Sequence, residues 1–243
     1  MDLPLSLTAI IVVNLAVGLG CALQGSVGYG AAIVAAPILV LVEPQLVPIP
    51  IALALFTLTV LMTLRERSAI DIAGLKWAIV GRVLGSILGA IALVLFSADN
   101  FTILFAVLIL LAVGISISGL RFPPSKYPLI FAGFLSGIMG TIAAIGGPPM
   151  ALVYQNASGN RLRSTLSGYF IISILVSCIA WLVIGRFGFD VLYLTIFLLP
   201  GVLGGFFISS RITRVIDRGY TRPVVLILAA ISASVVLIRQ IAF

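Results

Sequence analysis

Histidine is absent from this 243-residue chain, and cysteine occurs only twice, at Cys21 and Cys178. Both cysteines fall inside apolar runs, so a disulfide framework is not expected, and a transition-metal site has almost no ligands from which to form. Asp and Glu together number only seven, and none lies in the middle of an apolar run. Without these acid–base groups the sequence predicts no catalytic residue, no metal site and no cofactor.

Nucleotide-binding signatures are missing as well. No GxxxxGK[ST] stretch occurs, and the GSVGYG of Gly25–Gly30 lies within an apolar run rather than after a strand, so it does not indicate a dinucleotide-binding loop. The chain therefore has no nucleotide-driven motor of its own. Any energy for its work must come from gradients or from a partner subunit.

Charge is scarce, at 9% of residues, whereas apolar residues make up 62%. A soluble domain carries about 25% charged residues, so the chain is predicted to be one membrane-embedded unit with the lipid bilayer as its surroundings. The net charge of +7 comes from short loops between apolar runs. This distribution indicates membrane topology and not nucleic-acid binding.

A helix needs about 20 mostly apolar residues to cross a bilayer. Two apolar regions, Leu5–Val42 and Pro128–Gln155, are longer than one crossing and are interrupted by glycine and proline. Each is predicted to form a pair of segments that meet inside the bilayer, and Ala31–Val42 and Pro128–Thr141 look too short to cross alone. Six further segments are predicted as full crossings: Leu46–Leu64, Trp77–Phe96, Phe101–Leu120, Ser164–Gly185, Val191–Ser210 and Pro223–Gln240.

The two interruptions resemble each other. The first reads QGSVGYGAAIVAAP (Gln24–Pro37) and the second MGTIAAIGGPPMAL (Met139–Leu152), and a shift of 116 positions places Tyr29-Gly30 on Ile145-Gly146. Matched breaks in two halves are a sequence signature of transporters built from repeats. We therefore predict an all-α integral membrane protein of two repeats, 1–120 and 128–243, joined by a cytoplasmic linker at 121–127.

Basic residues favour cytoplasmic loops. Their distribution requires the region between Arg121 and Arg161 to enter and leave on the cytoplasmic side, and the N-terminus and Glu43 to share the outer side. Each repeat is then one broken pair plus three crossings, so the repeats are inverted and both termini lie outside. Chance placement of so few charges is the alternative. The basic residues of the four cytoplasmic loops are Arg65, Arg67, Lys76, Arg121, Lys126, Arg161, Arg163, Arg211, Arg214, Arg218 and Arg222.

An interrupted helix presents unpaired backbone N–H groups at the start of its next piece, where the helix dipole favours a small anion. We expect the main chain of both breaks, rather than a charged side chain, to form the binding site. The alternative is that the glycines only allow close helix packing, a role we expect for Gly81-Gly85-Gly89 and Gly201-Gly205-Ser209. The candidate substrate-binding residues in the breaks are Gln24, Gly25, Ser26, Gly28, Tyr29, Gly30, Thr141, Gly146, Gly147, Pro148 and Gln155.

One charged residue, Arg82, lies inside a predicted span, about a turn and a half after Trp77. Its long side chain is expected to reach the cytoplasmic face, as Lys and Arg near helix ends do. The alternative is that Arg82 attracts an anion, because charged residues within spans are normally functional. Arg82 is therefore the twelfth candidate binding residue.

The motifs GYGAAIVAAPIL and, more specifically, GTIAAIGGPPMALVYQ resemble the TauE/SafE sulfite-exporter family of bacterial membrane permeases. The likeness covers nearly the whole chain, although family members usually carry glycine at the position of Ala144. It implies a secondary transporter of the bacterial inner membrane for small sulfur-containing anions: sulfite, thiosulfate, sulfoacetate or related organosulfonates. It fixes neither the substrate, the direction of transport nor the binding residues.

Two other functions compete with transport. The chain could anchor or regulate a partner enzyme, for which the Arg211–Arg222 loop is the one candidate docking surface, or it could be a membrane enzyme, which would lack the usual acid–base groups. A homo-oligomer is compatible with every one of these functions.

Overall fold

The computed structural model describes residues 6–96, 98–118, 120 and 122–216, and the regular secondary structure in these ranges is helical throughout. The predicted span Pro223–Gln240 lies outside the described residues. The α-helices within them are α1 Leu7–Val27, α2 Ala31–Val42, α3 Ile49–Arg65, α4 Ile72–Leu95, α5 Ala98–Ile117, α6 Lys126–Ala143, α7 Gly147–Tyr154, α8 Gly159–Val183, α9 Phe189–Ile196 and α10 Leu199–Ile216.

Four helices of the described part, α1, α4, α6 and α8, are long and apolar enough to cross a membrane, and the bent pair α9 and α10 would make a fifth span. Large apolar side chains of α4, among them Val80, Leu84, Ile87 and Ile91, are exposed on the protein surface. Such a surface is stable only against lipid or another apolar partner. The prediction of a multi-pass helical membrane protein is confirmed.

The two interrupted regions divide unequally. In each, one crossing-length helix (α1 with 21 residues, α6 with 18) is followed by a shorter one, α2 with 12 residues or α7 with 8. The prediction that Pro128–Thr141 is too short to cross was wrong, because α6 begins earlier, at Lys126. Pro128 stands in its first turn, where a missing N–H costs nothing.

The predicted span Val191–Ser210 is not one straight helix. It divides into α9 and α10, which meet at 46°, because Pro200 in the first turn of α10 cannot continue the hydrogen-bond ladder of α9. The Asn14 side chain of α1 compensates for the break: its Nδ2 donates to the Phe197 carbonyl at 2.8 Å, and its Oδ1 accepts from the Gly201 N–H at 2.7 Å. A buried break thus keeps its backbone groups paired.

Glycines allow α4 and α6 to pack backbone to backbone. A Cβ atom at Gly81 would collide with the Ile130 carbonyl oxygen, and one at Gly85 would collide with that of Phe134. Only small residues permit so close an approach between helices in a membrane. The packing role expected for these glycines is confirmed.

The pair α1 and α10 repeats this interface. A Cβ atom at Gly201 would lie 2.6 Å from the Asn14 carbonyl oxygen, and one at Gly205 would collide with that of Gly18. Asn14 and Gly18 precede Ile130 and Phe134 of the other interface by the same 116 positions. In the packing, Gly201 therefore has the same role as Gly81. The 116-position offset instead aligns Gly201 with Gly85, which lies one helical turn after Gly81.

Candidate functional site

The two chain breaks lie against each other in the protein interior. Gly28 and Gly30 have φ of 107° and 114°, which a residue with a Cβ rarely adopts, and they separate α1 from α2. Ala144, with φ of 61°, ends α6 before α7 begins. A Cβ added at Gly147 would lie 3.0 Å from the Cβ of Tyr29, so the breaks are in contact, as the sequence predicts for two facing interruptions.

A small cavity of about 50 Å³ lies at this junction. A buried water needs ~10–15 Å³ measured in this way, so the cavity has room for a few waters or for one anion of similar size. It is lined by Gln24, Gly30, Ala32 and Ile33 from the first break and α2, Ala52, Leu55 and Thr59 from α3, Arg82 from α4, Gly140, Ala144, Ile145, Gly146 and Gly147 from the second break, and Phe170, Ser173, Ile174, Ser177 and Trp181 from α8.

Arg82 does not reach the membrane surface, and the prediction that it would do so was wrong. The residue is 2% exposed, and its guanidinium lies inside the protein, where Nη1 donates to the Ser136 carbonyl and Nη2 donates to the Ser173 carbonyl at 3.0 Å and to Ser177 Oγ. A Cβ at Gly140 would collide with this guanidinium. The side chain turns inward because glycine leaves space for it and because carbonyl groups accept its hydrogen bonds.

No carboxylate compensates the charge of Arg82 within the described residues. Their ion pairs join Arg65 and Arg163 to Glu66 and Arg161 to Asp71, all outside the lining of the cavity. A buried charge is normally paired. Arg82 is therefore a buried cation that lacks a counter-ion in the part of the chain that the structure describes.

Two buried polar atoms of the lining residues have no hydrogen-bond partner: Nε of Arg82 and Oγ of Ser173. Leaving a buried donor unsatisfied costs about 1–3 kcal/mol, and more for a charged group. An anion in the cavity would satisfy the positive charge and offer acceptors to both groups. The charge and the hydrogen-bond donors of this arrangement therefore suit a small oxyanion.

Some N–H groups at the helix starts are already occupied or are missing. At α2, the Ala31 N–H already donates to Gln24 Oε1 at 3.1 Å, so Gln24 caps the helix. At α7, Pro148 and Pro149 have no N–H, which leaves Gly147 as the one donor among the first three residues. The side chain of Arg82 thus adds a full positive charge to the partial positive charge of the helix starts, where Ala32 and Ile33 also line the cavity.

The structure brings five of the twelve predicted residues to the cavity: Gln24, Gly30, Arg82, Gly146 and Gly147. The three glycines among them line the cavity with main chain, and Arg82 places a positive charge beside it. The remaining seven do not line it; they are Gly25, Ser26, Gly28, Tyr29, Thr141, Pro148 and Gln155.

Two of these seven, Tyr29 and Thr141, contact residues that line the cavity. Tyr29 packs on Gly147, and Thr141 Oγ1 lies 3.0 Å from Ser177 Oγ. Ser26 Oγ donates within its own helix, to Ala22 at 2.7 Å. Gln155 is remote, because its Nε2 donates to the Leu120 carbonyl in an exposed region.

Sequence reasoning missed the contribution of α8. Ser173, Ser177 and Trp181 all line the cavity, and residues four apart share one face of a helix. This regular series of polar or amphipathic side chains in a strongly apolar span was the available signal.

Trp181 lies between the cavity and a larger one. It is fully buried, lines both, and donates from Nε1 to the Thr141 carbonyl at 3.1 Å. The second cavity, of about 390 Å³, is also lined by Arg186 and Asp190. The indole therefore separates the site at Arg82 from this larger space.

Arg65 has the same relation to the first break that Trp181 has to the second. Its Nη2 donates to the Gly25 carbonyl at 2.5 Å, and both residues of this pair precede Trp181 and Thr141 by 116 positions. Arg65 also pairs with Glu66 at 3.3 Å, and Arg163 pairs with the same carboxylate at 2.8 Å. An ionic cluster thus occupies the place that the indole has in the other half.

A separate ion pair, between Asp71 and Arg161, joins the start of α4 to α8. Asp71 accepts from the Gly74 N–H at 3.0 Å and from Arg161 and Tyr154, each at 3.2 Å. Burial raises the pKa of the Asp71 carboxyl, but these hydrogen bonds outweigh it, so that the pKa lies below its ordinary value. The ionised carboxylate holds the helix ends together.

A family model described as Sulfite exporter TauE/SafE matches residues 13–236, nearly the whole chain. No curated protein matches the chain, and no solved structure does. The match confirms the resemblance carried by the two glycine- and proline-containing motifs.

Proposed function

Because the chain belongs to the Sulfite exporter TauE/SafE family of membrane transporters, we propose that it carries small sulfur-containing oxyanions, sulfite foremost, across the bacterial inner membrane through the cavity at Arg82. The observation that supports this most is the buried guanidinium of Arg82, which has no carboxylate partner among the described residues. A transported anion would be its counter-ion. An ordinary structural arginine would have one in the protein.

The two halves, 1–120 and 128–243, form inverted repeats in this proposal. The reciprocal contacts support it: α4 packs on α6 as α1 packs on α10, and Arg65 binds the end of α1 as Trp181 binds the end of α6. Reciprocal pairing is what a two-fold relation between halves produces. The arginine-rich loops then lie in the cytoplasm, and both termini lie outside.

This symmetry suggests how the site alternates between the two sides. Trp181 closes it toward the larger cavity on the outer side, and the cluster of Arg65, Glu66 and Arg163 closes it toward the cytoplasm. Transport requires that only one closure open at a time, which rocking of one repeat against the other achieves around a fixed site.

The test is flux through purified protein in liposomes, with sulfite, thiosulfate, sulfate and a short sulfonate as substrates. Arg82→Gln should reduce sulfite flux at least ~30-fold, since removing one partner of a buried charge pair costs at least about 2 kcal/mol. Lys126→Gln is the matched control, because Lys126 is a cation that stacks on Trp77 at 4.5 Å, away from the cavity. Equal flux in the Arg82→Gln and wild-type proteins would contradict the proposal.

A further inference from the structure

We infer that the cavity at Arg82 selects its substrate by charge and accepts oxyanions that carry a single negative charge. This inference rests on the proposed function and narrows its substrate class. Hydrogensulfite and simple sulfonates fit, whereas sulfate, thiosulfate, sulfoacetate and fully deprotonated sulfite carry one charge too many.

The first reason is the number of charges at the cavity. Arg82 is the one charged side chain among its described lining residues. Beside it, the Tyr169 hydroxyl of α8 donates to Ser136 Oγ at 2.9 Å. One bound negative charge therefore neutralises the site.

The charged residues on the helices packed against α4 have their own partners elsewhere. On α6, Lys126 stacks on the Trp77 ring. On α8, Arg161 pairs with Asp71 and Arg163 pairs with Glu66. None of these residues lines the cavity, so none of them compensates a second negative charge there.

The second reason is that the helix starts supply only partial positive charge to the cavity. The Ala31 N–H is occupied by Gln24, and α7 begins with two prolines after Gly147. The dipole of a helix acts through its free N–H groups. The next two residues of α2, Ala32 and Ile33, also line the cavity, but the N–H groups of a helix start supply only partial positive charge. Arg82 remains the one full positive charge among the described lining residues.

The third reason is the size of the cavity. At about 50 Å³ it holds an anion of four or five heavy atoms only after the anion has lost its hydration shell. A dianion would leave one charge without a counter-ion among the described lining residues, and burying an uncompensated charge is costly. A monoanion leaves none, and the Arg82 Nε and Ser173 Oγ donors, both unpartnered, remain available to its oxygens.

The experiment compares three anions in the liposome flux assay, with equal pH on both sides of the membrane. Methanesulfonate stays singly charged and sulfate stays doubly charged across neutral pH, and the two have the same number of heavy atoms. Sulfite changes between the two charge states in that range. Protein-free liposomes measure the leak of uncharged sulfur dioxide, which is subtracted.

We expect sulfate flux at least ~50-fold below methanesulfonate flux. This ratio corresponds to the free energy of burying one uncompensated charge, taken from the lower end of membrane-insertion scales. Sulfite flux should fall as the pH rises, in proportion to the hydrogensulfite concentration, while methanesulfonate flux stays constant and so excludes titration of the protein. Sulfate flux within tenfold of methanesulfonate flux, or sulfite flux that rises with pH, would overturn the inference and leave the proposed function intact. No flux of any of the three would overturn both.

Discussion

A single added methyl group at Gly146 tests whether the space around Arg82 is the binding site. Gly146 has φ of −88°, so alanine is tolerated by the backbone and any effect comes from crowding. Its Cβ would lie 2.7 Å from Ser136 Oγ and 3.1 Å from Arg82 Nη1. Optimal contact distances are about 3.5–4.0 Å, so the guanidinium must move or the methyl group must enter the cavity.

Crowding of this kind costs about 1–3 kcal/mol. If that energy is lost from anion binding, the apparent affinity for sulfite falls about 5- to 150-fold. The assay is sulfite flux against concentration in liposomes, together with thermal unfolding of the purified protein. Gly204→Ala is the matched control, because a Cβ there meets nothing within 4 Å, and alanine favours its helix by up to ~1 kcal/mol.

We expect Gly204→Ala to transport as the wild type does and Gly146→Ala to keep its fold while losing affinity. An unchanged sulfite affinity in Gly146→Ala would show that substrate does not use the space beside Arg82. The cavity beside Arg82 would then not be the binding site, although the protein would still belong to its transporter family.

Three further predictions concern stability and topology. Ala144→Gly should raise thermal stability by up to ~1 kcal/mol, because alanine at φ of 61° is strained; a lower melting temperature would contradict this. Reporter fusions after Glu43 and after Gly159 should lie on opposite sides of the membrane, and finding both on one side would refute the inverted repeats. Asp71→Asn should lower the melting temperature at neutral pH. The pKa of Asp71 is lowered in the folded protein. The stability that its carboxylate adds is therefore complete above the unfolded pKa of about 3.9 and is lost as the pH falls through the folded pKa. A difference in melting temperature between variant and wild type that vanishes already near neutral pH would contradict this.

The breaks could be predicted from sequence because glycine and proline act locally. Positive φ at Gly28 and Gly30 and the missing N–H groups of Pro148 and Pro149 interrupt a helix whatever surrounds it. The crossing helices α4 and α8 were equally accessible, because length and hydropathy decide them. The predicted crossing Leu46–Leu64 was not: it corresponds to α3, a 17-residue apolar helix that is shorter than the described crossing helices. The bend before α10 was missed, although Pro200 stands in the sequence, because it needed Asn14 of a distant helix to pair its freed backbone groups.

The direction of the Arg82 side chain could not be predicted, because it depends on a neighbouring helix. Local sequence places Arg82 near a helix end, where reaching the membrane surface is normal. The structure turns it inward because Gly140 leaves room and because Ser136 and Ser173 offer carbonyl groups. Those residues lie more than 50 positions away in the chain, so only the packing of α4 on α6 and α8 brings them to Arg82.

The most direct test is a crystal structure of the protein with selenite, the selenium analogue of sulfite, which anomalous scattering locates. We expect a selenium peak in the cavity between the two chain breaks, with selenite oxygens about 3 Å from Arg82 Nε and Ser173 Oγ. A fully occupied selenite elsewhere in the protein, with no peak beside Arg82, would contradict the assignment of this cavity as the anion site.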